Sequence, residues 1–546
     1  MKLIKQLNFL TFIFIFLISQ FKISHAQVNT CVNTFRFVAT NETSSNSCLI
    51  STDDFTIAAY DVFQAFGVGT VSVTNTGIIR TIANGSPAIR VGGNTYTTLV
   101  TINNSGTLTT TGIQGSHGIT LDNGFDPGLI INSGTITTSG IESSAILYGG
   151  ADGGTITNSG TLSSLTSQHA IAVIANNVTV NINKGSIIIG DILQGNRTGG
   201  TINFNLGASK SYAYKTTSTI GTWNVNDLNN RPLVNAQSAF AINIGSIEIA
   251  GENLYQKTAS ISDAIDRNVK NNKDTWVEPY YSESTRDSGG DSSQIRKFKN
   301  NKQGVNAGFK VENSTTPSQF IFNVDQTKNN IDSSEHIINS DGVMIGLAAP
   351  TYAKYEGFDV SVKGLVGYAN SKTDRKVLDN TSSTGERTLT GEYDSYYAVV
   401  GSALSKNYNL DKDLNANLTL GVDLTSEFRD SYNENLYFKY NSLELIQLQP
   451  RIQSEFIKTT GKDSNVFLTA GVGAREILSG KTQKYSMNNT GVSFTTPNSG
   501  DYYASLAAGT NMNVAANVNF YALVSAKMSD RDTETYQASI GLKGTF

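Results

Sequence analysis

Histidine and cysteine are scarce in this chain of 546 residues, with 4 and 2 copies, and there are only 2 tryptophans and 5 methionines. No Cys or His spacing matches a zinc or other metal-ligand set, so the sequence implies no metal and no cofactor. Proline is also rare, at 8 against 50 glycines. That balance suits many β-strands joined by tight turns, with few helices. Charge is modest: the formal net charge is −4 and the pI about 5.7. This excludes a basic field for nucleic acid, so no nucleic-acid partner is expected. Beyond the N-terminus no run approaches the length and apolarity of a membrane-spanning helix. A mean hydropathy of −0.20 still leaves room for a transmembrane β-barrel, because only alternate residues of its strands face lipid.

The one long apolar run opens the chain. Lys2 and Lys5 precede a stretch of Phe, Ile and Leu from Phe9 to Ile18, and Ser24-His25-Ala26 places small residues before Gln27. This is the layout of a cleaved signal peptide over 1–26. The residue just after the cleavage point is Gln27 rather than a cysteine, so lipid attachment there is not expected. Export also bears on Cys31 and Cys48. As two thiols they are unremarkable, but an oxidising compartment favours a disulfide. Closing so short a loop contributes about 3 kcal/mol on the loop-entropy model.

The next stretch is periodic. Asn75-Thr76-Gly77, Asn104-Ser105-Gly106, Asn132-Ser133-Gly134 and Asn158-Ser159-Gly160 recur every 26 to 29 residues, with Asn183-Lys184-Gly185 as a degenerate fifth copy. A second landmark stays in phase: Ala88-Ile89, Gly118-Ile119, Ala145-Ile146 and Ala170-Ile171. Such self-similarity marks a solenoid, and its Thr, Ile, Val and Gly make it a parallel β-helix with about one coil per repeat. The asparagines are expected to stack as an amide ladder, with the neighbouring glycines supplying positive φ. Stacked coils need capped ends. We therefore divide the region into an N-terminal cap (27–69), the solenoid repeats (70–200) and a C-terminal cap (201–251). Only 19 charged residues fall between 27 and 250, which leaves a neutral surface rich in hydroxyls and amides.

Residues 252–274 change character. Ile261, Ala264, Ile265, Asn268 and Val269 share one helical face, with Ser262, Asp263, Asp266, Arg267 and Lys270 on the other. A helix of roughly 20 residues runs about 30 Å, the thickness of a bilayer core. Being polar, it is suited to threading a hydrophilic pore rather than facing lipid. From Trp276 onward twelve alternating segments follow, among them Phe358 to Tyr368, Leu414 to Leu424 and Val466 to Ala474. An even number of amphipathic strands predicts an antiparallel transmembrane β-barrel over 275–546. Tyr280-Tyr281, Tyr396-Tyr397 and Tyr502-Tyr503 read as its interfacial aromatic girdles. The last segment, Thr535 to Phe546, puts Tyr536, Ala538, Ile540 and Leu542 on one face. Ser539, Gly541 and the terminal Phe546 fit the C-terminal assembly pattern of bacterial outer-membrane barrels, whereas Gly544 departs from it.

Signal peptide, β-solenoid, pore-length helix, twelve strands and Trp276-Val277-Glu278-Pro279-Tyr280 as first barrel strand together resemble the monomeric autotransporters of type V secretion. The resemblance covers essentially the whole chain. It implies an all-β fold with one pore-threading helix, a monomer in outer-membrane lipid, and insertion by the outer-membrane barrel assembly machinery. It implies further that the solenoid passenger passes through the pore to the cell surface, with 201–250 nucleating its folding there. Surface binding to a host cell, a glycan or a neighbouring cell is the expected use, as an adhesin and hence a virulence factor. A passenger hydrolase and a porin-like or structural barrel are the alternatives.

Catalysis finds little support in the sequence, and the chain is expected not to be an enzyme. Asp287-Ser288-Gly289-Gly290 imitates a serine-protease nucleophile motif but follows the first barrel strand, outside the passenger. No Gly-x-Ser-x-Gly elbow occurs. His117 and His169 lie at equivalent phase two repeats apart, and read as turn decorations. Asp122, Asp126, Glu142 and Asp152 are scattered in turns. Some autotransporters cut their passenger free at an Asn-Asn pair in the linker; Asn271-Asn272 is such a pair, placed close to the barrel.

Overall fold

The computed structural model describes residues 37–39, 45–50, 55–57, 64–67, 70–92, 99–122, 127–164, 169–235, 238–268, 275–287, 295–311, 317–461, 464–497, 500–515 and 517–544, with side chains from residue 71 onward. The signal peptide, Cys31 and Phe546 lie outside them, as do the side chain of Cys48 and residues Asp126, Val269, Lys270, Asn271 and Asn272. The chain forms two units. The first runs to Thr201 without 182–184 and includes 218–223; the second comprises 182–184, 202–217 and 224–546.

The first unit is a parallel β-solenoid of about six turns. Each coil contributes three short strands to three parallel sheets, and the repeat length sets which side chains coincide. One face stacks Val73, Ile102, Ile130 and Ile156. The second stacks Ile79, Leu108, Ile136, Leu162 and Ile188. The third stacks Ile89, Ile119, Ile146, Ile171 and Ile192. All of these are fully buried. Each contributes about 1.5–3 kcal/mol of burial that a lone coil lacks the partners to realise.

The corner after the first face carries the expected amide ladder. The Nδ2 of Asn75 donates to Asn104, that of Asn104 to Asn132, and that of Asn132 to Asn158, each to Oδ1 at 2.7 Å. The second proton of each amide goes to a glycine carbonyl two residues on, as from Asn104 to Gly106 and from Asn132 to Gly134 at 3.3 Å. All four side chains are buried, and the ladder supplies the bonds that burial demands.

The reason for the glycines differs from the sequence expectation. Gly106, Gly134 and Gly160 do not have positive φ; of the repeat glycines only the degenerate copy, Gly185, does, at 93°. What they lack room for is a Cβ. One added at Gly134 would sit 2.0 Å from the carbonyl oxygen of Gly106, and one at Gly160 would sit 2.0 Å from that of Gly134. The coils approach too closely at this corner for any side chain.

The second unit is built on a twelve-stranded antiparallel barrel: β1 (Thr275–Arg286), β2 (Phe298–Lys310), β3 (Gln319–Ile331), β4 (His336–Tyr355), β5 (Phe358–Asp379), β6 (Glu386–Asp411), β7 (Leu414–Arg429), β8 (Leu443–Gly461), β9 (Ser464–Ser479), β10 (Gly500–Ala515), β11 (Val518–Ser529) and β12 (Thr533–Gly544). Neighbours pair in sequence order, and β1 pairs with β12 from Thr275–Gly544 to Arg286–Thr533, which closes the cylinder. Closure leaves no sheet edge in lipid. Alternation sorts the side chains: Val366, Val400, Val422, Ile452, Val472 and Ile540 point outward and are exposed, while Lys302, Asn323, Ser371 and Thr425 point inward and are buried.

That same alternation corrects the girdle reading. Adjacent residues of a strand face opposite sides, so only one tyrosine of each pair reaches lipid. Tyr281, Tyr396 and Tyr502 are exposed outside; Tyr280 and Tyr397 are buried inside, and Tyr503 packs 5.9 Å from the ring of Tyr255 within the lumen.

The two ends of the barrel differ. Two-residue turns, as at 356–357 and 412–413, lie at the end holding the β1 start and the β12 end; the longest connections, as at 430–442 and 480–499, lie at the other. In outer-membrane barrels short turns face the periplasm and long connections the exterior. The long connections fold into a second sheet absent from the sequence reading, made of Tyr432–Glu434, Phe438–Tyr440, Thr482–Met487 and Thr490–Thr495. Residues 211–218 and 238–241 pair antiparallel and attach to the end of β5, with Ser211 opposite Val377 and Ala213 opposite Asp379.

Candidate functional site: a helix held in the barrel lumen

A short turn of helix, Gly245–Glu248, leads into helix α1, Ala250–Asn268. Nineteen residues at 1.5 Å each span about 28 Å. No proline interrupts it, Glu252 lies in its first turn and Arg267 in its last, matching the helix dipole. Most residues of α1 are buried and none is exposed, because the barrel surrounds it. The small apolar stripe Leu254, Ile261, Ala264 and Ile265 packs into a core with Trp276, Ile321, Met344, Leu365, Val399 and Leu443.

Charge holds the remaining faces. At the long-connection end Arg286 reaches Glu252 at 2.8 Å and also pairs with Glu248, while Arg531 binds Glu252 at 3.2 Å. Midway, Lys302 donates to the carbonyls of Gln256 at 3.1 Å and Lys257 at 2.9 Å and to Ser260 Oγ at 2.9 Å, with Asp325 at 3.2 Å behind it. Lys257 donates to the hydroxyl of Tyr397 at 2.6 Å. Lower down, Lys363 lies 3.1 Å from both Asp266 and Asp423, and Arg451 contacts the same two carboxylates. Lys527 meets Asp263 at 2.7 Å. At the short-turn end Arg267 pairs with Glu278 at 2.6 Å, and Asn268 donates to Glu278 at 3.0 Å and to Tyr521 at 3.1 Å.

The wall thus answers Glu252, Asp263, Asp266 and Arg267 with opposite charges and Lys257 with the Tyr397 hydroxyl, satisfying buried groups that would otherwise be costly. Chemically the arrangement is a plug: it fills and fixes the lumen and leaves the helix termini at opposite ends of the barrel. Sequence reasoning named the helix but missed Arg286, Lys302, Lys363, Asp423, Arg451 and Lys527. Their signal was parity, since a charge whose strand neighbours face lipid must line the pore. Arg451, between Pro450 and Ile452, is the plainest case.

The predicted assembly residues fall on the closing seam. Ser539 is buried opposite Tyr280. Gly541 makes room for the ring of Tyr521, which a Cβ would meet at 2.2 Å and whose hydroxyl is 2.7 Å from Glu278. The candidate catalytic residues do not converge. Asp287 directly follows the first barrel strand and pairs with Lys297 at 2.9 Å, with Ser288 to Gly290 outside the described residues. In the solenoid, His117 Nδ1 accepts the amide of Ser144 at 2.9 Å, and His169 Nδ1 meets the buried Asp191. Burial holds the His117 imidazole down to about 4, with Asp122 opposing and Arg90 reinforcing the shift. Asp122 pairs with Arg90 at 2.7 Å, and Asp152 accepts from the amide of Asn176 at 2.7 Å and from its Nδ2 at 3.0 Å. Glu142 accepts from Gln114 at 3.4 Å. Among the described residues no group of three or more His, Cys, Asp or Glu side chains is placed to hold a metal. Nor, among them, is any helix long and apolar enough to cross a membrane.

These features define a class: an outer-membrane β-barrel, plugged by a helix of its own chain and preceded by a β-solenoid. Residues 275–525 match the family model of the autotransporter β-domain. The chain thus carries an autotransporter β-domain, with a β-solenoid N-terminal to it. Among solved structures it is similar to the translocator domain of the autotransporter NalP from Neisseria meningitidis, at 14% identity over 55% of this chain and 99% of that one, with a TM-score of 0.41. The transport unit of the autotransporter AIDA-I from Escherichia coli is matched at 11% identity over 55% and 99%, with a TM-score of 0.39. The β-domain of the Bordetella autotransporter Brka is matched at 12% identity over 50% and 98%, with a TM-score of 0.35. No curated protein sequence matches the chain.

Proposed function

We propose that the barrel delivers the solenoid to the cell surface, where it acts as a non-catalytic binding module for adhesion. The observation that carries this is the course of α1 through the lumen. Glu252 lies at the long-connection end and Asn268 at the short-turn end, so the chain preceding the helix leaves the barrel on the exterior side. Insertion by the barrel assembly machinery, with Ser539, Gly541 and Phe546 as its signal, belongs to the same reading.

The solenoid surface supports binding rather than turnover. Thr107, Thr135 and Thr161 stand in register on one outward column, and Thr109 and Thr137 on the next. Rungs of parallel β-structure repeat every ~4.8 Å, so the columns present evenly spaced hydroxyls to an extended partner such as a glycan. The test compares cells carrying the full chain with cells carrying a chain lacking coils 100–164, on glycan-coated surfaces and in cell–cell aggregation. Loss of attachment with the coils removed supports the reading; equal attachment overturns it. Hydrolysis of ester or peptide substrates by the full chain, lost on His117→Ala or His169→Ala, would replace it with an enzymatic one.

A further inference from the structure

The sheet built from the long connections at the barrel mouth has two unlike faces. One is apolar: Tyr440, Tyr485, Met487 and Phe494 are buried in a core with barrel residues such as Phe298 and Val377. The other is exposed and carries Asn433, Lys439, Lys484 and Ser493. The four strands hold a single carboxylate, Glu434. It lies on the buried side, where its two oxygens accept from Arg375 at 2.6 and 3.1 Å. Among the described residues neither Lys439 nor Lys484 pairs with an acid. In a chain of net charge −4, the exposed face of this sheet is purely basic.

The sheet also ends on an open edge. Its strands run in the order Tyr432–Glu434, Phe438–Tyr440, Thr482–Met487 and Thr490–Thr495, so the last has one neighbour among the described residues. The phase of that pairing decides which backbone groups are left over. Asn488 and Asn489 form a two-residue turn with φ of 46° and 63°, which closes on Met487 and Thr490 as a hydrogen-bonded pair. Hydrogen-bonded and non-hydrogen-bonded pairs then alternate along the hairpin. The amide of Thr496 donates to the carbonyl of Lys481 at 2.8 Å, as this phase requires. Thr490, Val492 and Phe494 therefore bond to the neighbouring strand, whereas Gly491, Ser493 and Thr495 turn their N–H and C=O groups to the open side. Edge strands are ordinarily blunted by a proline, a charge or a bulge. Thr490–Thr495, reading Thr-Gly-Val-Ser-Phe-Thr, has no proline and no charge, and its register is unbroken.

We propose that this edge is a docking site for an extended, acidic peptide segment of a partner protein, which adds to the sheet as a fifth strand. The backbone of the segment pairs with Gly491, Ser493 and Thr495, and its alternate side chains fall on the basic face. Lys484 lies directly opposite Ser493. A partner residue paired with Ser493 is therefore two strand spacings from Lys484, about 10 Å. A glutamate there meets the ammonium group within the joint reach of the two side chains, because only the small Ser493 stands between them. Lys439, one strand further in, extends the same positive field. A polysaccharide could use the lysines but not the row of open backbone groups, so the edge favours a peptide. The site belongs to the translocator and is separate from whatever the solenoid binds.

The test uses the full chain in lipid nanodiscs and a fluorescein-labelled peptide, Thr-Glu-Val-Glu-Val-Glu-Thr, followed by anisotropy. A copy of the peptide N-methylated throughout keeps the charge but cannot pair. Ser493→Pro removes an N–H from the open side and leaves the bonds to the neighbouring strand in place. Lys439→Gln with Lys484→Gln removes the charge, and heat-modifiable mobility reports that the barrel is intact. The acidic peptide should bind saturably and more weakly as salt is raised. N-methylation and each protein variant should weaken it about tenfold or more, the effect of losing one charge-assisted or edge hydrogen bond. Should Ser493→Pro disturb the barrel, the N-methylated peptide decides in its place. Absence of saturable binding up to about 1 mM, equal binding of the N-methylated peptide, or unchanged binding to an intact Ser493→Pro variant overturns the proposal. Binding of dextran sulfate that depends on the two lysines, with no binding of the peptide, also overturns it and assigns the face to an anionic polysaccharide.

Discussion

Arg286 on the first barrel strand and Glu252 in the first turn of the helix face each other inside the pore at 2.8 Å, both buried. Neither charge is tolerable there alone, and each is supplied by a different part of the chain. The pair captures the logic of the lumen, in which the helix is a fitted component rather than a passing segment.

The fit predicts what loosens it. Lys363 and Arg451 together neutralise Asp266 and Asp423. Replacing both basic residues by methionine leaves two buried carboxylates unanswered, at a cost of roughly 3–5 kcal/mol for breaking such a pair from one side. In planar bilayers the purified double variant should show more frequent and larger openings than the wild type, which should be mostly closed. Identical conductance traces would show that these pairs do not hold the plug.

In the solenoid, the amide ladder predicts an outsized effect from a small change. Asn132 accepts from Asn104 and donates to both Asn158 and Gly134. Asn132→Ala leaves its neighbours' buried polar groups unpartnered, at about 1–3 kcal/mol for each. Thermal unfolding of the full chain, followed by circular dichroism, should show the solenoid transition lowered while barrel heat-modifiability is unchanged.

Gly134→Ala tests the close approach of coils separately. At most exposed positions this substitution is mild or stabilising, since it restricts the unfolded chain. Here the new Cβ would lie 2.0 Å from the carbonyl of Gly106. The coils must separate, and the variant should lose trypsin resistance in the solenoid. Full resistance would refute close approach as the reason for glycine.

Acid should weaken the solenoid through His117. Its imidazole takes a proton near 6.5 when unfolded but only near about 4 when folded, chiefly because burial disfavours the charged form. The unfolded state therefore binds more protons between those values, so stability falls as pH drops from about 6.5 toward about 4 and levels off below. The ring is partly exposed, which limits the loss to at most about 3 kcal/mol. Denaturant midpoints measured across this range should fall for the wild type and stay flatter for His117→Gln.

Periodicity made much of this molecule legible. Asn75, Asn104, Asn132 and Asn158 announced the coil, and strict alternation in segments such as Leu414 to Leu424 announced the barrel. What resisted reading had no period. The mouth sheet at 432–440 and 482–495 comes from short strands that pair across distant connections, so Tyr432, Tyr440 and Tyr485 carried no local pattern tying them together. The glycine beside each ladder asparagine was recognised, but its reason was not, because contact between coils is invisible along one coil. The tyrosine pairs misled for a simpler cause: two neighbours on a strand cannot share a face. In the lumen, Lys302 and Arg451 stood in plain view at the inward parity, yet their partners on α1 lie far away in sequence.

The most direct measurement of the account concerns where the solenoid ends up. A chain with Glu142, at an exposed solenoid turn, replaced by cysteine and with Cys31 and Cys48 replaced by serine can be treated with a membrane-impermeant maleimide on intact cells. The account predicts labelling of intact cells by the full chain and none when residues 275–546 are deleted. Labelling without the barrel, or labelling of the full chain only after the outer membrane is broken, would contradict it.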